Sequence, residues 1–223
     1  MDKSIELDSV EKFYGDFHVL KGISFSIDKG SIFAYLGPNG AGKTTTIRIL
    51  LGLLKPHSGN IRINASRKKI GFILENEDLS YRMDVENYLK FFAELYGVKW
   101  TKSIQLLESL ELEGILKKPM SQLSKGLKKR VAFARALICE PEILFLDEPL
   151  EGFDPEWQVK FIEILKSLAD KGITVFITSH QLLYIERLAT DFGIINNGRL
   201  LGQWKIKEVE NLEKFYLEAI KNA

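Results

Sequence analysis

Cysteine is almost absent from this 223-residue sequence, and neither sign of charge is in excess. The one cysteine, Cys139, excludes an internal disulfide and a cysteine-rich zinc site. Its place at the end of the apolar run 131–138 predicts a small buried thiol. Lysine and arginine number 31 against 30 aspartates and glutamates, a formal net charge of +1. This balance gives no electrostatic reason to expect nucleic acid or an anionic lipid surface as a partner.

Long hydrophobic runs are also missing. No apolar stretch approaches the roughly 20 residues that a helix needs to span a bilayer. Residues 1–11 alternate charged and apolar side chains and lack the apolar centre of a signal peptide. We therefore expect a cytoplasmic protein whose membrane contacts run through a partner.

What the sequence does contain is a regular alternation of strand and helix patterns. Strands separated by helices indicate a largely parallel sheet with right-handed crossovers, and the alternating segments near the N terminus predict a hairpin. Predicted strands cover residues 4–10, 22–27, 31–36, 61–63, 69–74, 143–146, 173–178 and 192–195. Predicted helices cover residues 44–54, 157–169 and 209–221, and residues 84–136 are mainly helical.

Residues 37–44 match the pattern G-x-x-x-x-G-K-[ST] in full, between a predicted strand and a predicted helix. Glycines let several backbone N–H groups converge on triphosphate oxygens, and the helix start adds positive potential. Lys43 supplies a charge to the β- and γ-phosphates, and the Thr44 hydroxyl can bind Mg²⁺. A purely structural turn would not require Lys-Thr at this place. The predicted ATP-binding residues of this loop are Gly37, Pro38, Asn39, Gly40, Ala41, Gly42, Lys43, Thr44 and Thr45.

Two carboxylates follow the apolar run 143–146, where an open parallel sheet gathers its ligands. Asp147 falls where a Mg²⁺ ligand is needed, and Glu148 can orient or deprotonate the water that attacks the γ-phosphate. His180 follows another predicted strand and can hydrogen-bond a phosphate oxygen. The competing interpretations are solvated acids at a strand end and a capping histidine. We predict Glu148, His180 and Lys43 as the catalytic residues.

These patterns predict an α/β P-loop NTPase with a mostly parallel sheet flanked by helices. We expect an N-terminal antiparallel β subdomain and an inserted α-helical subdomain. The predicted division is one domain over residues 1–223, with the ATP-binding core and β subdomain in 1–75 and 137–223. The helical subdomain would occupy residues 76–136.

Further motifs make the sequence resemble the ATP-binding subunit of an ABC transporter, from about residue 5 to the C terminus. Residues 123–127, Leu-Ser-Lys-Gly-Leu, resemble the family signature LSGGQ about 20 residues before the carboxylate pair. Residues 151–155, Glu-Gly-Phe-Asp-Pro, resemble the loop that follows that pair, with Asp154 as its aspartate. Tyr14 matches the aromatic residue that stacks on adenine. Glu75 falls where a glutamine normally links Mg²⁺ and the membrane partner.

The resemblance implies that two subunits pair head to tail around two ATP molecules. The signature residues Ser124, Lys125 and Gly126 would then contact the ATP of the partner subunit, and Asp154 would lie at the dimer interface. The implied Mg²⁺ ligands are Thr44, Asp147 and Glu75, so that ATP and Mg²⁺ are the expected cofactors. The implied partners are transmembrane permease subunits and a second copy or a homologous ATPase subunit. The chain would sit on the cytoplasmic face of the cell membrane through the permease.

Three positions depart from the family pattern. Lys125 replaces a signature glycine, and we expect its long side chain to face solvent. Leu127 replaces a glutamine and cannot donate the hydrogen bonds of an amide. Glu75 carries a charge where the family has a neutral amide. Ser124, a plausible N-cap of the following helix, and Gly126 are retained.

Residues 83–97 and 212–217, together with Glu75, resemble exporters of the ABC-2 kind. The alternative is a soluble ABC-type ATPase that acts on nucleic acid or ribosomes. That alternative predicts tandem cassettes, a coiled-coil insertion or zinc-binding cysteines, none of which the sequence has. A P-loop GTPase or small-molecule kinase would lack the signature at Ser124, and the guanine-specific Asn-Lys-x-Asp run is absent. We therefore expect the ATPase subunit of an exporter.

Overall fold

The computed structural model describes residues 2–75 and 82–223 and centres on a six-stranded sheet. In order across the sheet, its strands are β5 (Ile70–Ile73), β6 (Ile143–Asp147), β7 (Thr174–Thr178), β3 (Ile32–Leu36), β8 (Asp191–Asn196) and β9 (Arg199–Lys205). All neighbours pair in parallel except β9, which runs antiparallel to β8. Every residue of β3, β6 and β7 is buried, as expected for parallel strands covered on both faces.

A three-stranded antiparallel sheet packs with this central sheet. It has the order β2-β1-β4, built from β1 (Lys3–Tyr14), β2 (Phe17–Asp28) and β4 (Ser58–Ile63). The β1–β2 turn uses Gly15 at φ 56°, a left-handed conformation that glycine adopts without strain. Phe25 of β2 stacks on Phe33 of β3 with ring centroids 5.4 Å apart. The two sheets therefore share one hydrophobic cluster, which fixes the N-terminal hairpin beside the phosphate loop.

Among the described residues, the inserted helical region contains the α-helices α2 (Val85–Tyr96), α3 (Trp100–Ser109) and α4 (Lys125–Ile138), with two short 3-10 helices between α3 and α4. α2 begins after Asp84, whose carboxylate accepts a hydrogen bond from the backbone N–H of Asn87, and ends at Gly97 with φ 71°. The region's predicted first residues, 76–81, lie outside the described part of the chain. The remaining helices are α1 (Lys43–Leu50), α5 (Pro155–Asp170), α6 (Leu182–Leu188) and α7 (Leu212–Lys221).

α4 connects the helical region to the central sheet. A Cβ added to Gly71 of β5 would lie 2.2 Å from the carbonyl oxygen of Ala136, so the strand and helix backbones are in direct contact. The Arg135 guanidinium donates to the Phe72 carbonyl at 2.6 Å and lies over the Phe72 ring. The helix continues to Ile138, across the predicted boundary at residue 136. The division into subdomains stays a prediction.

The predicted fold class is confirmed, including the antiparallel β subdomain and the mostly parallel sheet. Cys139 is buried as expected. Helix α6 and strand β9 were not predicted. In the described residues, no helix combines the length and apolar character needed to cross a bilayer.

Candidate functional site

The phosphate loop connects the carboxyl end of β3 to α1. A Cβ at Gly37 would lie 2.3 Å from the carbonyl oxygen of Ile195, so only glycine fits there. Gly40 and Gly42 adopt φ of 78° and 113°, which L side chains rarely tolerate. Because α1 begins at Lys43, the unpaired N–H groups of its first turn lie at the loop. The local chain therefore has the form of an anion cradle.

Lys43 provides a buried positive charge inside this cradle. Its side chain is 8% exposed. The ammonium donates to the carbonyl of Gly37 at 2.7 Å and to that of Pro38 at 3.3 Å. It also lies 3.9 Å from Oε1 of Glu148. The loop cation and the predicted catalytic carboxylate thus face the same space.

A cleft of about 680 Å³ opens along this loop at the carboxyl edge of the sheet. It brings together most of the predicted ATP, Mg²⁺ and catalytic residues, which come from separate parts of the chain. Its lining includes Gly37, Pro38, Asn39, Gly40, Gly42, Lys43, Thr44, Thr45, Glu75, Asp147, Glu148 and His180. Five lining residues were not predicted, namely Val19, Glu151, Ser179, Leu182 and Tyr216. Of the described residues predicted for the site, Ala41, Tyr14, Ser124, Lys125, Gly126 and Asp154 lie outside this lining.

Asp147 is fully buried at the end of β6, and its two carboxylate oxygens have different surroundings. Oδ1 accepts a hydrogen bond from the Thr178 hydroxyl at 2.6 Å. Oδ2 is buried without a hydrogen-bond partner among the described residues. A buried carboxylate oxygen without a donor is costly unless a ligand or cation completes its shell. Asp147 is therefore suited to hold a cation in the cleft.

Thr178 also supports the residue after Asp147 and was missed by the sequence analysis. It ends β7, opposite Asp147 in the β6–β7 pairing. Its hydroxyl oxygen accepts from the backbone N–H of Glu148 at 3.0 Å while donating to Asp147. The available signal was its position as the last residue of the neighbouring predicted strand.

Glu148 combines an unusual backbone with a tightly held carboxylate. Its φ of 46° lies in the left-handed region, which costs energy for a residue with a side chain. Oε2 accepts from the backbone N–H of His180 at 3.2 Å and contacts its Nδ1 at 3.0 Å. Burial raises the pKa of Glu148, and the neighbouring His180 and Lys43 oppose that rise. A carboxylate with a raised pKa is a stronger base, which suits proton transfer from water.

Tyr14 lies at the tip of the N-terminal hairpin, and its ring is about half exposed. The ammonium of Lys12 lies 5.7 Å from the centre of this ring. An exposed aromatic face can accept a stacked base. Adenine stacking on Tyr14 stays a prediction.

The signature residues surround the start of α4. The Ser124 hydroxyl accepts from the backbone N–H of Leu127 at 3.3 Å, which confirms it as the N-cap. Lys125 has a side chain that is 66% exposed, as expected, and it also pairs with Glu151 at 3.2 Å. A Cβ at Gly126 would lie 2.7 Å from the carbonyl of Gly152, so α4 starts against the loop after the carboxylates.

Asp154 caps the next helix, α5, by accepting from the backbone N–H of Trp157 at 2.8 Å. Its side chain is 60% exposed. Asp154 and Ser124 therefore both have accessible side chains outside the cleft of their own chain. A role for them in an ATP site requires a second subunit.

Comparisons with known proteins agree with these motifs. Residues 20–151 match the family described as ABC transporter. The lantibiotic transport ATP-binding protein SrtF of Streptococcus pyogenes is 34% identical over 218 residues, 95% of each chain. Nod factor export ATP-binding protein I of Paraburkholderia xenovorans (strain LB400) is 35% identical over 215 residues, 91% of this chain and 71% of that protein.

The fold is also shared with solved structures. One is the dimer of an ATP-binding cassette in a post-hydrolysis state with ADP and Pi. It matches with a TM-score of 0.84 and 26% identity, covering 91% of this chain and 98% of that one.

Proposed function

This chain belongs to the ABC transporter family as one of its ATP-binding ATPase subunits, and we propose that hydrolysis in the phosphate-loop cleft drives export through separate membrane subunits. The observation that carries this proposal is the convergence of Lys43, Asp147 and Glu148 on one cleft. Lys43 supplies the positive charge that binds phosphate, and Asp147 has a buried oxygen that lacks a donor among the described residues. Glu148 supplies the carboxylate that polarises water, so the three groups are those that ATP hydrolysis needs. The relatives are named for transport and export, which favours export over action on nucleic acid or ribosomes.

Phosphate binding falls to the loop and Lys43. The left-handed glycines Gly40 and Gly42 let the loop backbone turn around a phosphate, and the start of α1 adds positive potential. The Lys43 ammonium now donates to carbonyls of the same loop, and phosphate oxygens would replace those acceptors. Because the ammonium is buried, its attraction to phosphate is weakly screened by solvent.

The cleft residues also fit Mg²⁺. Asp147 offers a buried oxygen that lacks a donor among the described residues, and the Thr44 hydroxyl lines the same cleft. We propose that Asp147 and Thr44 hold the ion and that Glu75, which also lines the cleft, completes the site. When bound, Mg²⁺ neutralises charge on the β- and γ-phosphates. Hard oxygen ligands of this kind are the ones that Mg²⁺ prefers.

Glu148 is proposed to orient the attacking water and accept its proton. The contacts of His180 to Oε2 leave Oε1 on the Lys43 side of the carboxylate. The His180 side chain is 52% exposed at the cleft, which suits a contact to the γ-phosphate. We thus assign Lys43 to balancing the phosphate charge and Glu148 to activating the attacking water. We assign His180 to contacting the γ-phosphate.

The second half of each ATP site is proposed to come from a partner subunit. Ser124, Lys125 and Gly126 of one chain would contact the ATP held by the other, with Asp154 at the interface. The dimeric relative with ADP and Pi supports this arrangement. The permease would hold the pair at the cytoplasmic face of the cell membrane, in keeping with relatives named as transport and export subunits.

Glu148→Gln tests the proposal directly. The variant should keep ATP bound but lose turnover by about 10²-fold or more, because the amide cannot accept the proton. Gel filtration with ATP and Mg²⁺ should show a dimer. A persistent monomer that releases ADP rapidly would remove Glu148 from the hydrolytic step.

A further inference from the structure

Lys129 is a buried lysine that reaches the hydrolytic carboxylate from the signature helix. It lies on α4, one turn after Lys125 and Gly126, and is 7% exposed. Its ammonium donates a short hydrogen bond to the main-chain carbonyl of Glu148, a residue 19 positions away. Burying an ammonium is costly unless it is paired or hydrogen-bonded, so this placement demands a local reason.

The main chain of Glu148 needs support. Its φ of 46° is unfavourable for a residue with a Cβ, and such a conformation persists only where surrounding contacts hold it. On one side, the N–H donates to the Thr178 hydroxyl at 3.0 Å. On the other side, among the described residues, the carbonyl accepts from Lys129 and, at 3.4 Å, from the N–H of Glu151. The lysine therefore provides the shorter support on the carbonyl side.

The negative charges around Lys129 come from residues that line the phosphate-loop cleft. The carboxylates of Glu151, Glu148 and Glu75 all attract its ammonium. Burial is the largest influence and lowers the pKa of Lys129, while these three acids oppose that change. The lysine thus lies among residues of the cleft although it belongs to the signature helix.

Packing also joins this helix to the loop after Glu148. The start of α4 touches that loop at the Gly126–Gly152 contact, where a Cβ on Gly126 would lie 2.7 Å from the carbonyl oxygen. With Lys129 attached one turn further along, α4 meets the loop at two points. A shift of α4 would therefore change the position of Glu148 in the same subunit.

We propose that Lys129 is a positioning residue that holds the backbone of Glu148 and keeps that carboxylate in register with the signature residues of its own chain. The proposal rests on the role of Glu148 given above. Lys129 acts on the hydrolytic step and leaves the phosphate loop unchanged. Loss of its contact should slow turnover with little effect on ATP affinity.

Steady-state kinetics of Lys129→Met and Lys129→Gln test this inference. Because a small displacement of a catalytic group lowers the reaction rate strongly, the kcat of the Met variant should fall about ten-fold or more. Its KM for ATP should stay within about two-fold, the pattern of a lost transition-state interaction. The Gln variant, which keeps a donor, should fall between Met and the parent. A kcat for Met equal to or above that of Gln overturns the proposal.

Lys166→Met makes the same substitution at an exposed lysine of α5 and should match the parent. If the Met variant fails to bind ATP, the kcat and KM of the Gln variant provide the test. A lower kcat at unchanged KM supports the proposal. A kcat equal to that of the parent overturns it.

The double variant Glu148→Gln/Lys129→Met separates this inference from the proposed function. If Lys129 acts through Glu148, the lysine substitution should cost nothing further in kcat once the carboxylate is gone. Full turnover in Glu148→Gln alone would refute the role of Glu148. Loss in Glu148→Gln with normal kcat in Lys129→Met would refute only the positioning role.

Discussion

At the residue scale, the carboxylate of Asp147 and the thiol of Cys139 are both buried, but we expect only the carboxylate to bind a ligand. Asp147 keeps one carboxylate oxygen without a donor among the described residues, whereas the thiol of Cys139 donates to the Ala136 carbonyl at 3.3 Å. Asp147 is therefore suited to binding a cation, whereas the Cys139 thiol is almost inaccessible to solvent.

Asp147→Asn should weaken Mg²⁺ binding. The amide lacks the negative charge that attracts the ion, so the Mg²⁺ concentration for half-maximal ATPase activity should rise about ten-fold, or 1.4 kcal/mol. A Mg²⁺ titration at saturating ATP measures this change. Asp170→Asn, at the exposed end of α5, is the matched control and should leave the titration unchanged. An unchanged titration in Asp147→Asn would exclude Asp147 as a ligand.

Cys139 should resist thiol reagents in the folded protein. The side chain is 2% exposed, and burial raises the pKa of its thiol to about 11. Since the thiolate is the reactive form, a higher pKa leaves less of it at neutral pH. Ellman's reagent at pH 8 should report one reactive thiol per chain in denaturant and a reaction slowed by about 100-fold or more without it. Equal rates in the two conditions would show that the α4 terminus opens readily.

At the element scale, the backbones of α4 and β5 are in direct contact at Gly71 and Ala136. Gly71→Ala should destabilise the fold by about 1–3 kcal/mol because the new methyl group would overlap the Ala136 carbonyl. Gly114→Ala is the matched control, since no described residue outside its own local backbone lies within 4 Å of its Cβ position. Urea denaturation of both variants measures the difference. Equal midpoints would mean that α4 shifts away from β5 at little cost.

The same elements show what sequence patterns can predict. The buried strands β3, β6 and β7 are continuous apolar runs, and the capping serine marked the start of α4. β9 was missed because it is a half-buried antiparallel edge strand with Gly202 inside it. α6 was missed because it has only seven residues and no side-chain cap among the described residues.

The residues of the candidate site also fall into those that local motifs predict and those that only tertiary contacts bring into place. Lys43, Asp147 and Glu148 follow from local motifs, since each lies at the end of a strand or the start of a helix. The contacts of Thr178 and Lys129 do not follow from local motifs, because they join residues 31 and 19 positions apart that only the folded sheet and α4 bring together. Local patterns identify groups that line the cleft. Tertiary packing determines which residues hydrogen-bond to these groups and position them.

At the scale of the whole molecule, membrane association should depend on a partner. The sequence carries a net charge of only +1, which gives little attraction to anionic lipid. Within residues 2–75 and 82–223, no helix could cross a bilayer. Expressed alone, the chain should remain in the supernatant and fail to float with vesicles of mixed neutral and anionic phospholipid. Tight binding to such vesicles would contradict the proposed dependence on permease subunits.

Each ATP site of the proposed dimer should be built from residues of both subunits. Ser124 is exposed and outside the cleft of its own chain, so its loss should affect the site of the partner. Ser124→Ala chains and Glu148→Gln chains should each be inactive alone, and mixing them should form heterodimers with one site free of both substitutions. That site should recover a measurable fraction of parental ATPase activity. Mixtures that stay as inactive as either variant alone would place Ser124 and Glu148 in the same site, against the head-to-tail arrangement.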